Sequence, residues 1–262
     1  MGKKRVAVEA KDHVLIMTLN RPEKLNAFDL DMYRELSLAY GELNRNQDLR
    51  CGLLAARGEH FTSGLDLVAW APYFGRGSFP ELPDEGVCPL GLNEEKRLCK
   101  PVVMAVQGLC LTIGLELLLA TDIRVAAADT RFAQIEIKRG IYPVGGATVR
   151  LMQEVGWANA MRYLLTADEI SADEAYRLGL VQAVVEPGKQ MVRALEIAAT
   201  ISRQAPLGVR ATLASARLTR AQGEQAALER LLPDLIPLME SEDVKEGIAS
   251  FIERRTARFK GR

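Results

Sequence analysis

The hydrophobic pattern opens with two short runs, Val6 to Glu9 and Val14 to Leu19, set around Lys11-Asp12-His13. This reads as two strands joined by a turn. Asn20-Arg21-Pro22 breaks the second strand. Asp29 then stands where a helix cap belongs, ahead of an apolar face formed by Tyr33, Leu36, Ala39 and Leu43. Cys51 to Ala56 and Lys100 to Val106 are continuous apolar runs, the mark of strands buried on both faces. Gly108 ends the second run, Leu115 to Ala120 predicts a helix, and Ile123 to Ala128 and Arg131 to Ala133 predict two more strands. Residues 58–64 read as a loop. Residues 71–92 are dense in Gly, Pro and aromatics and show neither period, which predicts a mobile loop. From Thr148 onward the pattern is helical, broken at Gly156, Gly179, Pro187 and Pro206 and by a short strand over Leu180 to Val185. Strands alternating with helices predict an α/β chain with a largely parallel sheet, followed by a helical C-terminal region.

Composition narrows the function classes. Of 262 residues, 48% are hydrophobic and 26% charged, an ordinary globular balance. Lys plus Arg and Asp plus Glu both number 34, so the net charge is zero and nothing supplies the cationic field that nucleic acids require. The four cysteines (51, 88, 99 and 110) lack CxxC spacing, and the histidines are only His13 and His60. This argues against a zinc site and a disulfide framework, and for reduced thiols in a cytosol-like compartment. The basic Met1 to Arg5 is followed by no long apolar stretch, so no secretory leader is expected, and Gly2 lacks the Ser or Thr of a myristoylation motif. The longest apolar run, Leu109 to Ala120, is too short to span a bilayer and contains Glu116. No P-loop or dinucleotide fingerprint is present, so neither ATP, NAD nor flavin is expected.

Three segments carry candidate chemistry. In His60 to Leu67 a glycine-bearing loop leads from a strand toward a helical stretch, and such a turn aims backbone N–H groups, Leu65 above all, at an anion or polarised carbonyl. Alone, the commoner meaning of this segment is an ordinary turn with Asp66 as a helix cap. In Val106 to Leu117 a buried strand runs through glycines to a helix start, where Thr112, Ile113 and Gly114 offer free amides. Glu116 lies one turn on, inside an apolar run, where desolvation raises its pKa toward neutrality and suits it to proton transfer. The competing reading is a buried acid paired with an arginine or capping the helix. Glu136 also stands among apolar residues, and there the alternative is an ion pair with Arg139. Two carboxylates converging on one pocket suit water addition to an activated alkene, one acting on the water and one on the proton at the adjacent carbon.

In this order and spacing, the segments resemble the crotonase superfamily, the enoyl-CoA hydratase/isomerase family. Asn20-Arg-Pro-Glu-Lys-Leu-Asn-Ala27 is similar to its N-R-P-x-x-x-N-A segment, and Phe61 to Leu67 to its F-x-A-G-x-D-L loop. The likeness continues through Gly108 to Glu116, through Phe132 to Pro143 with Gly145-Gly146, and into Glu246 to Arg255 with Phe259. It implies an α/β crotonase (ClpP/crotonase-like) fold: a ββα spiral core over residues 1–200 that binds acyl-CoA, and a helical trimerisation region over residues 201–262. It also implies an oxyanion hole from the amides of Leu65 and Ile113, with Glu116 acting on water and Glu136 exchanging the proton at Cα. Lys24, Leu25, Ala27, Ser63, Asp66 and Leu67 would hold the adenine end of coenzyme A. Phe251 and Arg254 would help close a CoA site, including that of a neighbouring subunit, in a homotrimer or homohexamer. Coenzyme A enters as part of the substrate, with no further cofactor and no metal. The implied activity is enoyl-CoA hydration in the cytoplasm. The alternatives are an enoyl-CoA isomerase, a specialised acyl-CoA dehydratase, and a non-catalytic CoA-binding or RNA-binding scaffold. A serine hydrolase built on Ser63 lacks the G-x-S-x-G elbow.

Two departures from the family pattern bear on the site. Thr112-Ile113-Gly114 stands where Gly-Gly-Gly is frequent, and a positive φ at Ile113 would be costly for a β-branched residue. Ile135 stands where proline is common. The acyl pocket is expected from the 71–92 segment, Tyr142 and Trp157.

Overall fold

A computed structural model describes residues 4–93 and 96–262. Gly2 and most of the basic N-terminal run lie outside the described residues. Strands β1 (Val6–Lys11) and β2 (Val14–Leu19) form an antiparallel hairpin, with Asp12 and His13 both left-handed in its tight turn. Helix α1 (Leu30–Arg45) starts at Asp29, whose carboxylate accepts from the Met32 amide at 2.9 Å. Strands β3 (Cys51–Ala56), β4 (Val102–Val106), β6 (Ile123–Ala127) and β9 (Ala183–Val185) complete a six-stranded sheet in the order β1-β2-β3-β4-β6-β9. It is parallel beyond the first pair.

The continuous apolar runs have a direct cause: alternate residues enter two separate cores. Met17, Leu54 and Met104 point to one face, packed under α1. Ile16, Leu53 and Val103 point to the other, covered by α7 (Gln190–Ser202) through Ala194 and Ala198.

A second, smaller sheet contains β5 (Leu109–Leu111), β7 (Arg131–Ala133) and β8 (Ile170–Ser171). Thr62 adds a parallel bridge to Cys110 at its edge. The chain therefore repeats one unit three times: a strand in the large sheet, a strand or bridge in the small one, then a helical segment. The first unit is β3, Thr62 and α2 (Leu67–Phe74). The second is β4, β5 and α3 (Ile113–Ala120). The third is β6, β7 and a 3-10 turn over Glu136–Arg139, followed by α4 (Ala147–Val155). This is the ββα spiral that the resemblance implied.

Several boundaries differ from the sequence reading. Three-residue β5 escaped notice because Gly108, with φ 53°, separates it from β4, and α3 starts two residues earlier than predicted. The 71–92 segment is not a free loop. Its first residues finish α2; Trp70, Phe74 and Phe79 then stack on one another, and Leu82, Val87 and Leu90 join the core. Its anchors are irregularly spaced, so no period announces them.

After α5 (Trp157–Thr166), α6 (Ala172–Arg177) and α7, the chain turns over 203–205 into α8 (Pro206–Gln222), α9 (Glu224–Met239) and α10 (Glu242–Glu253). Gly223, with φ 90°, makes a break between α8 and α9 that the sequence reading missed. No described helix is long and apolar enough to cross a membrane, and all four cysteines are free.

Candidate active site

The three repeated units deliver their C-terminal ends to one place. Beyond Thr62, the Leu111 amide donates to the Thr62 carbonyl at 3.1 Å, and the Thr112 amide donates to the Ala133 carbonyl at 2.9 Å. The bridge pairs Thr62 with Cys110, and Gly64 lies against Thr112, whose Oγ1 a Cβ at 64 would meet; Leu65 and Ile113 are the next residues of the two segments. Among the described residues, neither the Leu65 nor the Ile113 amide donates to another backbone or side-chain group. Ile113 is the first residue of α3, where an amide has no partner within the helix and the helix dipole favours negative charge.

The backbone cost falls one residue earlier than expected. Ile113 is not left-handed; Thr112 is, at φ 49° and ψ −113°. Ile113 thus places its side chain in the core, and its amide, at the helix start, has no hydrogen-bond acceptor among the described residues. Asp66 is the residue before α2, but its carboxylate accepts no helix amide; it pairs instead with Arg21 at 3.6 Å.

Glu116 is 3% exposed in the first turn of α3. Its Oε1 accepts from the Ala147 amide at 3.3 Å. Burial pushes its carboxyl up to about 7, opposed by the amides of Ala147 and Gly145 and by the Arg150 guanidinium. It neither caps α3 nor forms a direct ion pair. Glu136 opens the 3-10 turn, and its Oε2 is buried without a hydrogen-bond partner. Burial pushes it up to about 7 as well; its own backbone amide opposes the rise and the nearby Glu116 charge adds to it. No ion pair joins it to Arg139. The two alternative readings of these acids are therefore not realised, and each carboxylate lies within the other's electrostatic reach.

Leu65, Thr112, Glu116 and Glu136 line a cavity of about 210 Å³, whereas Ile113 is buried in the core and is not part of its wall. Ser63, Leu67 and Ile135 line it too, and Phe74, Ile141, Tyr142 and Val144 supply further wall. Of the expected acyl-pocket residues, Tyr142 is in place. Trp157 is not: it opens α5, is 69% exposed and lines no part of the cavity. Phe74 comes from the expected 71–92 segment, whereas Ile141 and Val144 were missed because nothing in a single sequence marks which loop apolar residues face inward. A second depression, lined by Pro22, Leu25 and Asn26, is tied to the first because the Ser63 amide donates to the Leu25 carbonyl at 2.9 Å. Lys24 is exposed on the adjoining 3-10 turn, and the Ala27 carbonyl accepts from Arg21 at 2.9 Å. Phe251 and Arg254 are not gathered here. Both are exposed at the end of α10 and line neither depression. No three His, Cys, Asp or Glu among the described residues are grouped to hold a metal ion.

Residues 9–262 match the family model described as enoyl-CoA hydratase/isomerase. The chain belongs to the enoyl-CoA hydratase/isomerase family. It is 37% identical to enoyl-CoA hydratase EchA19 of Mycobacterium tuberculosis, over 97% of this chain and 96% of that one. It is 35% identical to the short-chain-enoyl-CoA hydratase of Clostridium acetobutylicum, covering 97% of each. Among solved structures, a "probable enoyl-CoA hydratase/isomerase" from Mycobacterium abscessus superposes with a TM-score of 0.95 at 46% identity, covering 98% of this chain and 99% of that one. The family's crotonase fold is therefore the fold of this chain, helical C-terminal region included.

Proposed function

We propose that this member of the enoyl-CoA hydratase/isomerase family adds water reversibly across the double bond of a 2-enoyl-CoA thioester, with Leu65, Ile113, Glu116 and Glu136 as its reacting groups. The thioester carbonyl oxygen accepts hydrogen bonds from the Leu65 and Ile113 amides, which draw electron density toward it and leave Cβ electrophilic. Ionised Glu116 takes a proton from water as the water oxygen bonds to Cβ. The electron pair of the double bond moves toward the carbonyl, and protonated Glu136 delivers its proton to Cα. Water supplies both the hydroxyl and, through the carboxylates, the proton, so atoms and charge balance. No redox cofactor, nucleotide or metal enters the step, and coenzyme A is part of the substrate.

The observation that carries this reading is the pair of buried carboxylates, each raised to about 7, on one cavity whose wall also holds Leu65, with its unpartnered amide, and Thr112, the residue before Ile113. Near neutrality such a pair holds one proton between two acids, the state that addition of water requires. An isomerase needs only one acid/base, so retention of both favours the hydratase. Lys24, Leu25, Ala27, Ser63, Asp66 and Leu67 form the approach for the CoA moiety.

The working unit is a homotrimer or homohexamer. In support, Leu228, Leu232, Leu235, Ile236 and Met239 leave an apolar face of α9 exposed, and Phe251 and Arg254 stand away from their own chain's cavity. Four free thiols fit a cytoplasmic enzyme. The test is the enoyl-thioester absorbance of a panel of 2-enoyl-CoAs of increasing chain length, which should fall on addition of protein for at least one. No change with any member would favour a non-catalytic CoA binder.

A further inference from the structure

The two residues that precede the clamp amides are unequal: Gly64 has no side chain, and Thr112 has one in an unfavourable place. Thr112 is β-branched yet holds φ 49° and ψ −113°, backbone that glycine adopts freely and threonine does not. Its Oγ1 is buried and makes no hydrogen bond. Its carbonyl is fixed by the Glu116 amide at 3.1 Å and by Gln134 Nε2 at 3.3 Å, so the residue cannot relax by turning its backbone. A Cβ on Gly64 would overlap Thr112 Oγ1, so the threonine side chain fills the gap between the two amide-bearing segments. The same side chain is on the wall of the cavity that Glu116 and Glu136 face. Strain and an unsatisfied hydroxyl kept together at one wall position point to a functional use.

Resting on the hydratase reading above, we infer that Thr112 is a specificity-determining residue: its bulk closes the wall beside the clamped thioester carbonyl and restricts the enzyme to 2-enoyl-CoA substrates that carry only hydrogen at Cα. The carbonyl carbon is pinned between Leu65 and Ile113, so a substituent on the next carbon has no freedom to swing away. Thr112, which adjoins Ile113 in the chain, lines the cavity. A pocket that rejects a single extra methyl in this way discriminates by about 10- to 200-fold.

The test is kcat/KM for crotonyl-CoA and for its 2-methyl homologue, measured on the wild type and on Thr112→Ser, Thr112→Ala and Thr112→Gly, with a thermal melt of each. The ratio of branched to straight substrate should climb in steps from Thr through Ser and Ala to Gly, reaching at least about tenfold in the last. Thr112→Gly should melt at or above the wild type, since it removes the strained backbone; should it fail to fold, the Ala ratio decides by the same criterion. An unchanged ratio across the series overturns the inference even if the melts move. So does a ratio that changes only when the hydroxyl is lost, with Ser equal to wild type and Ala equal to Gly. A wild type that hydrates neither thioester contradicts the hydratase reading itself, whereas a wild type active on crotonyl-CoA with a flat ratio contradicts only the role of Thr112.

Discussion

Glu116 is nearly inaccessible to water, and the two amides and the Arg150 guanidinium that oppose its burial do not cancel it. A carboxyl raised from 4.5 to about 7 by folding binds a proton in the native state that the unfolded chain has already lost. Stability from this group is therefore present in full below the unfolded value and declines as pH rises toward 7. The size of that decline is about 3 kcal/mol, at 1.36 kcal/mol for each tenfold change in proton affinity. Glu116→Gln, which cannot ionise, should gain on the wild type by roughly this amount between pH 5 and pH 8 in urea unfolding. A constant difference between the two proteins across that range would show that Glu116 is not desolvated. The acids were legible in the sequence, since an isolated Glu inside a run such as Ile113 to Leu119 has few explanations. The left-handed backbone of Thr112 was not, because it accompanies pairing between segments distant in the chain, Thr62 with Cys110.

The central strands were legible as elements for a plain reason: β3, β4 and β6 feed two cores at once and so are almost continuously apolar, with Arg124 of β6 the charged exception, buried against Glu154. The second strand of each ββα unit was harder to see. β7 was read from the sequence as Arg131 to Ala133, but β5 is three residues long and the bridge at Thr62 a single residue, so neither of those carries a period. Yet these short pieces place Leu65, Ile113 and Glu136. The turn into α4 matters equally, because the amides of Gly145 and Ala147 hold the Glu116 carboxylate. A Cβ on Gly145 would overlap Glu116 Oε2, the movable end of a side chain. Gly145→Ala should therefore fold with a stability change within about 1 kcal/mol. It should also turn Glu116 out of line and lower kcat by about 10²-fold, as misplacement of a reacting group does. Steady-state kinetics with a parallel melt checks both halves; an undiminished kcat would remove the 143–146 turn from the positioning of the base.

Across the whole molecule, helical periodicity was legible from Thr148 onward, whereas a division at residue 201 was implied only by the family resemblance. What the last three helices cover is a matter of assembly. Of α8 and α9 together, only Ala227 is buried in the single chain, while Leu232 and Ile236 are 74% and 61% exposed. Leu232→Asp combined with Ile236→Asp should shift the sedimentation coefficient from that of a trimer or hexamer to that of a monomer, by placing charges in an apolar contact. An unaltered coefficient would free this face of α9 from assembly.

The account rests on Glu116 and Glu136 serving one cavity in complementary proton roles. The most direct test is the rate of crotonyl-CoA hydration at pH 7 by the wild type, Glu116→Gln and Glu136→Gln, each confirmed as folded. Each substitution should lower kcat by about 10²- to 10⁴-fold. Hydration that survives undiminished in Glu116→Gln would contradict it.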